Sequence, residues 1–139
     1  MNINIKEYNY QVPPINDVRA VMVKCKWWDV SDSEFETIFK SSALTLVAYD
    51  GDKPIATARV ISDNVVYALI VDVLVLPELR GKGIGSKLIE QIFSFSKKAD
   101  LKMIKLLSTP EGKSLYDKFG FKTRSLDEPG MIKFVYEID

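Results

Sequence analysis

Ile3 and Ile5 stand between polar neighbours, a period of two that predicts a short first strand. Beyond Pro13-Pro14 the spacing lengthens, and Ile15, Val18 and Met22 fall on one face of a helix. Ser31 with Glu34 has the pattern of a capping box, and Phe35, Ile38 and Phe39 carry a second short helix behind it. The period then shortens again. Leu44 to Tyr49 and Pro54 to Ile61 read as strands joined by the turn signal Asp50-Gly51. After a further turn at Asp63-Asn64, the run Val65 to Leu76 is rich in β-branched residues. It is apolar at both alternating sets of positions, as in a strand covered on both faces.

Pro77 ends that run, and a loop with three glycines follows. Ile84, Leu88, Ile89, Ile92 and Phe93 then form the apolar stripe of a helix ending near Lys97-Lys98. Met103 to Leu107 predicts a compact buried strand. Glu111 to Phe119 predicts a short helix with Leu115, Tyr116 and Phe119 on one side. Gly120 suits its C-terminal cap, with Phe121 behind it. A last strand is expected from about Met131 to Tyr136. The predicted order is β-α-α-β-β-β-α-β-α-β-β, an α/β sandwich around a mixed sheet. No repeat, low-complexity stretch or linker interrupts the 139 residues, a length that suits one domain spanning 1–139.

Composition narrows the chemistry. Apolar residues make up 47% and charged residues 27%, ordinary values for a globular protein. Nineteen basic residues balance nineteen acidic ones, and the longest basic cluster is Lys97-Lys98. That argues against nucleic-acid partners and against a polybasic membrane patch. Cys25 is the single cysteine and there is no histidine. An internal disulfide and a multi-cysteine metal cluster are excluded, and zinc catalysis or Ser-His and Cys-His chemistry lose their usual parts. No metal is expected. Met1 to Tyr10 has no apolar signal-peptide core, and Asn64 to Leu76, interrupted by Asp72, is too short to span a bilayer. A cytoplasmic location is the expectation.

The candidate chemistry begins at Arg80-Gly81-Lys82-Gly83-Ile84-Gly85, between a buried strand and an amphipathic helix. Glycines permit positive φ and close backbone approach, and a helix start offers unpaired N–H donors and a positive dipole end. A pyrophosphate is a natural guest there, with Arg80 and Lys82 adding charge at the rim. The alternative is a tight strand-to-helix turn that binds nothing. A P-loop would need Gly-Lys-Ser/Thr, but Gly85 is followed by Ser86 and then Lys87. The dinucleotide fingerprint also fails, because the glycines are spaced two and two and several strands precede them.

What remains is Arg-x-x-Gly-x-Gly, formed by Arg80, Gly83 and Gly85, after a strand ending Val75-Leu76-Pro77-Glu78. It resembles the (Arg/Gln)-x-x-Gly-x-(Gly/Ala) acetyl-CoA motif of the GNAT superfamily of N-acetyltransferases. Leu115-Tyr116-Asp117-Lys118-Phe119-Gly120-Phe121 resembles that family's Tyr-x-x-x-Gly-Phe element. The order of elements agrees too, so the resemblance covers essentially the whole chain. It implies a three-layer α/β/α fold with a mixed, mostly antiparallel sheet, and acetyl-CoA as co-substrate. By position, the backbone of Val73, Leu74 and Val75 would pair with the pantetheine arm. The amides from Arg80 through Gly81, Lys82, Gly83, Ile84 and Gly85 to Ser86 would take the pyrophosphate.

The resemblance also makes Tyr116 the general acid that protonates the departing thiolate. A phenol near pKa 10 suits a thiol near about 8.5 without a metal; a core tyrosine beside Leu115 and Phe119 is the alternative. The acceptor ammonium must first lose a proton, which at pH 7 costs roughly 4 kcal/mol. Asp72, the only charged residue of the long strand, could accept that proton or hold the ammonium. It could equally be a structural carboxylate bonded to backbone N–H groups or to an arginine such as Arg59. The acceptor pocket that the family implies would draw on the Trp27-Trp28 region, Arg59, Ser108 and Gly130-Met131. Trp27 and Trp28 could instead be helix-end packing. Arg59 or Arg124 could receive a carboxylate, which would suit a polar amino acid. A small-molecule primary amine is the expected acceptor, with protein N-termini or lysines, and a non-catalytic acyl-CoA-binding module, as rival readings. An exposed strand near the C-terminus could pair two subunits into a homodimer.

Overall fold

The alternation at Ile3 and Ile5 becomes β1 (Ile3–Tyr8), which pairs antiparallel with β2 (Leu44–Asp50). Between them come α1 (Ile15–Lys24) and α2 (Asp32–Lys40). At the start of α2 the Ser31 hydroxyl accepts from the Glu34 N–H, and the Glu34 carboxylate accepts from the Ser31 N–H. The expected capping box is therefore formed. The chain continues through β3 (Lys53–Ser62), β4 (Tyr67–Val75), a single 3₁₀ turn (Pro77–Leu79), α3 (Ile84–Lys98), β5 (Met103–Lys105) and α4 (Lys113–Lys118). The sheet order is β1-β2-β3-β4-β5, with β4 and β5 parallel and every other pair antiparallel. This computed structural model describes residues 1–136, which fall into one unit of residues 1–106 and another from Leu107 onward.

In the first unit the core lies on both faces of the sheet. The hydroxyl of Tyr49 donates to Asp17 of α1 at 2.6 Å, so the odd-numbered residues of β2 face α1. Leu44, Leu46 and Ala48 are also fully buried and occupy the opposite face. Val18, Val21, Met22, Phe35 and Phe39 close one side. Ile84, Leu88, Ile89 and Ile92 of α3, which packs on β3 and β4, close the other. A mixed five-stranded sheet with helices against it is the α/β arrangement expected.

Several expectations need correction. The strand buried throughout on both faces is β2; in β4, Tyr67 and Leu69 are 45% and 39% exposed. An apolar run measures side-chain character, whereas cover depends on where the helices end. Phe93 belongs to the apolar stripe of α3 by spacing but is exposed, with the Lys97 ammonium over its ring. The strand expected at Met103 to Leu107 stops at Lys105, and Met103 and Leu107 are exposed. Most substantially, no strand follows α4 among the described residues. The stretch from Met131 to Tyr136 has the right alternation, but its apolar side chains are exposed and no neighbour supplies a ladder. Periodicity provides a face; a strand also needs a partner for its backbone N–H and C=O groups.

Candidate active site

The fourth strand is irregular where chemistry was expected. Opposite β3, Thr57 pairs with Leu74 and Arg59 with Val71, so Ala58 alone faces both Asp72 and Val73. This is a β-bulge, with Asp72 at φ 54°. Aspartate is among the few non-glycine residues that tolerate this left-handed region. In a regular ladder Asp72 would point away from the face shared by Val71 and Arg59. The bulge turns its carboxylate onto that face. One oxygen accepts from Trp27 Nε1 at 2.9 Å, and the other from Arg59 at 2.8 and 3.1 Å. The Arg59 and Asp72 side chains are only 14% and 12% exposed, and Arg59 also donates to the Ser42 hydroxyl at 3.2 Å.

Beside this pair a narrow cleft opens between the helices and the sheet. Val18, Met22, Trp28 and Phe39 form its apolar wall, and Thr45, Thr57, Arg59 and Asp72 lie on the sheet side. Trp28, Arg59 and Asp72, singled out separately from the sequence, therefore meet at one place. Trp28 also stacks on Phe35 at 6.0 Å, so it packs as well as lining the cleft.

Beyond the bulge, β4 has an open edge. Its pairing with β5 ends at Leu69 and Lys105. The Leu76 N–H donates to the Ile55 carbonyl, so the even-numbered residues turn their backbone groups toward β3. Val73 and Val75 consequently turn theirs to the free edge. The Val75 carbonyl accepts there from Arg80 Nε at 3.2 Å and from the Cys25 thiol at 3.5 Å. Burial raises the Cys25 pKa above its ordinary value, and the neighbouring Arg80 opposes that rise.

The glycine loop follows directly. Gly81 and Gly83 sit at φ 79° and 84°, where a side chain would be strained, and Gly83 is the N-cap of α3. A Cβ on either glycine would meet nothing within 4 Å, so the surface over the loop is open. No side chain caps α3 and no acidic residue occupies its first turn. Arg80 and Lys82 are exposed beside it. The backbone donors and the dipole end of a 15-residue helix are thus left to an anion. These residues fit the pyrophosphate of acetyl-CoA, and the free edge of β4 fits an amide-bearing arm.

The second unit holds the remaining candidates. Tyr116 lies in α4 with Phe121 edge-on to its ring at 5.7 Å. Gly120, at φ 84°, ends the helix as expected, and the Phe121 N–H returns to the Tyr116 carbonyl. Burial raises the Tyr116 phenol above its ordinary pKa, which keeps it protonated and able to donate near neutrality. A Cβ on Gly112 would stand 3.4 Å from the Tyr116 ring and 3.5 Å from Ser108 Oγ, so Tyr116 and Ser108 flank one glycine. Ser108 donates to the Thr109 carbonyl, and Met131 is exposed. Arg124 is paired with Glu128.

Sequence reasoning missed Thr45, Thr57, Ser42 and Cys25 as parts of this site, together with the bulge itself. The bulged fourth strand of a mixed sheet thus opens beside an uncapped helix start. Residues 41–123 match the acetyltransferase (GNAT) domain model, and the chain belongs to that family, whose members use acetyl-CoA to acylate amines. An uncharacterised N-acetyltransferase of Pyropia yezoensis is 36% identical over 69 residues, covering 50% of this chain and 40% of that protein. The chain thus spans well under half the length of this curated relative. A GNAT-family acetyltransferase structure from Streptococcus pneumoniae superposes with a TM-score of 0.81 at 25% identity, covering 97% of this chain and 99% of the other. A Staphylococcus aureus protein of unknown function, described as a probable acetyltransferase, gives 0.79 at 28% identity, covering 94% and 100%.

Proposed function

We propose that this protein is a single N-acetyltransferase domain that moves the acetyl group of acetyl-CoA to the primary amine of a small molecule, with Tyr116 as general acid. The observation that carries the reading is the start of α3. Two left-handed glycines, an uncapped helix and two exposed cations adjoin the free edge of β4. The amides from Arg80 to Ser86 hold the pyrophosphate, and Val73 and Val75 offer backbone groups to the pantetheine arm. The Arg80 side chain and the Cys25 thiol yield the Val75 carbonyl when the arm arrives. Acetyl-CoA supplies an activated thioester.

Tyr116 gives its proton to the leaving thiolate, a role that suits a phenol kept neutral by burial. Asp72 is a poor candidate for the base, because its oxygens already accept from Trp27 and Arg59. It positions Arg59 and the cleft wall, and the ammonium loses its proton to water. Arg59 and Arg124 are both engaged by carboxylates, which weakens the case for an amino-acid carboxylate as the recognised group. Thiol release from acetyl-CoA across a panel of primary amines tests the proposal, comparing wild type with Tyr116→Phe. Amine-dependent release that the variant loses while still binding CoA supports it. CoA binding without release from any amine overturns transfer in favour of a binding module.

A further inference from the structure

Asp72 is the only non-glycine residue with left-handed φ that lies within a strand among the described residues. Such a backbone persists only where its surroundings hold it. Arg59 grips a single carboxylate oxygen, through Nε and a terminal nitrogen, and a carboxylate held at one oxygen can still pivot. The second oxygen accepts from the Trp27 indole N–H at 2.9 Å, and two fixed points remove that freedom.

Trp27 is itself held in place. Beyond α1, Lys26 stands at φ 54°, in a position usually given to glycine. The Lys26 N–H donates to the Val23 carbonyl at 3.1 Å and the Trp27 N–H to the Met22 carbonyl at 2.9 Å, a closed helix end. This turn sends two side chains to β4. The Cys25 thiol meets the Val75 carbonyl and the Trp27 indole meets the Asp72 carboxylate, so the contacts bracket Val73 and Leu74.

The place of the bulge decides which backbone groups reach the free edge. Asp72 and Val73 together oppose Ala58, and Leu74 faces β3 opposite Thr57, which leaves Val73 to the edge. A bulge displaced by one pair toward Val75 would set Val73 opposite Thr57 and turn its groups inward. We infer that Trp27 is a positioning residue for the cofactor: its indole N–H pins the Asp72 carboxylate, keeps the bulge in place and so keeps Val73 open to the pantetheine arm. The inference rests on acetyl-CoA lying along β4 as proposed.

The test compares wild type, Trp27→Phe and Trp27→His by calorimetric titration with CoA and with ADP, which carries a pyrophosphate and no pantetheine arm. Phenylalanine keeps an aromatic ring without the donor. Histidine has Nε2 at the ring position of the indole nitrogen and can keep an N–H there. Trp27 is 40% exposed, so both variants should fold. Trp27→Phe should bind CoA about three- to tenfold more weakly, the worth of one hydrogen bond, and bind ADP as wild type does. Trp27→His should recover most of the CoA affinity. Unchanged CoA affinity in Trp27→Phe, an equal loss for ADP, or no recovery in Trp27→His overturns the inference and leaves the cofactor reading standing. Wild type that binds neither ligand removes the cofactor reading, and the inference with it.

Discussion

Replacing Gly83 and Gly51 by alanine separates the cost of backbone strain from the loss of an anion site. Both glycines have positive φ, 84° and 59°, and at both a Cβ would stand in open space. The steric cost is therefore the same in kind and comes from φ alone. An L-residue in the left-handed region costs about 1–2 kcal/mol. Alanine recovers about 0.4–1 kcal/mol of that by restricting the unfolded chain. Each variant should lose about 1 kcal/mol of stability, a fall in Tm of roughly 4 °C for a chain of this size. Their effects on CoA should differ. Gly51 lies in the turn between β2 and β3, whereas Gly83 caps α3 and orients its first amides. Relaxing φ at Gly83 rotates donors away from the pyrophosphate, and hydrogen bonds to a charged group are each worth about 1.5–3 kcal/mol. Calorimetric titration should find CoA bound roughly 10- to 100-fold more weakly by Gly83→Ala and unchanged by Gly51→Ala. Equal affinities in the two variants would refute the assignment of the loop.

The remaining predictions concern Tyr116, the buried ion pair, Tyr49 and Cys25. Tyr116→Phe should lower kcat by about 100-fold or more and leave CoA affinity intact, read by steady-state kinetics and titration. Asp72→Asn leaves the Arg59 charge without its carboxylate and should cost about 2–3 kcal/mol by urea unfolding. The double variant Arg59→Met, Asp72→Asn should recover most of that loss, since it removes the unpaired charge and asparagine tolerates the left-handed backbone. Burial and the bond to Asp17 raise the Tyr49 pKa above its ordinary value. Above pH 10 the unfolded chain then binds fewer protons than the folded one, so stability falls as pH rises; Tyr49→Phe should flatten that slope in pH-dependent melting. Cys25 touches the Val75 carbonyl, so CoA on the β4 edge should slow its alkylation, followed by mass spectrometry of the intact protein.

Local chemistry was legible and pairing was not. The capping box at Ser31 and Glu34 follows from two residues at fixed spacing, and the left-handed Gly83 and Gly120 occupy positions where glycine was expected to serve. The bulge could not be read, because Asp72 adopts positive φ without being a glycine and two-to-one pairing appears only once β3 is in register. The same holds for Thr45 opposite Arg59: fourteen positions apart in sequence, they become neighbours only through the β2–β3 register. Trp28, Arg59 and Asp72 were found by residue type, but the mutual neutralisation of the last two depends on the bulge turning a carboxylate across the sheet. Met131 to Tyr136 failed in the opposite direction. Its alternation suits a strand, and no ladder partner exists for it among the described residues.

The central claim is that CoA lies along the free edge of β4 and over the start of α3. Backbone amide NMR on titration with CoA tests it residue by residue. The account predicts saturable shifts concentrated at Gly81, Gly83, Ile84 and Gly85 and at Val73 and Val75, with Gly51 and the β1–β2 pair unmoved. Shifts absent from these amides, or confined to another surface, would contradict it.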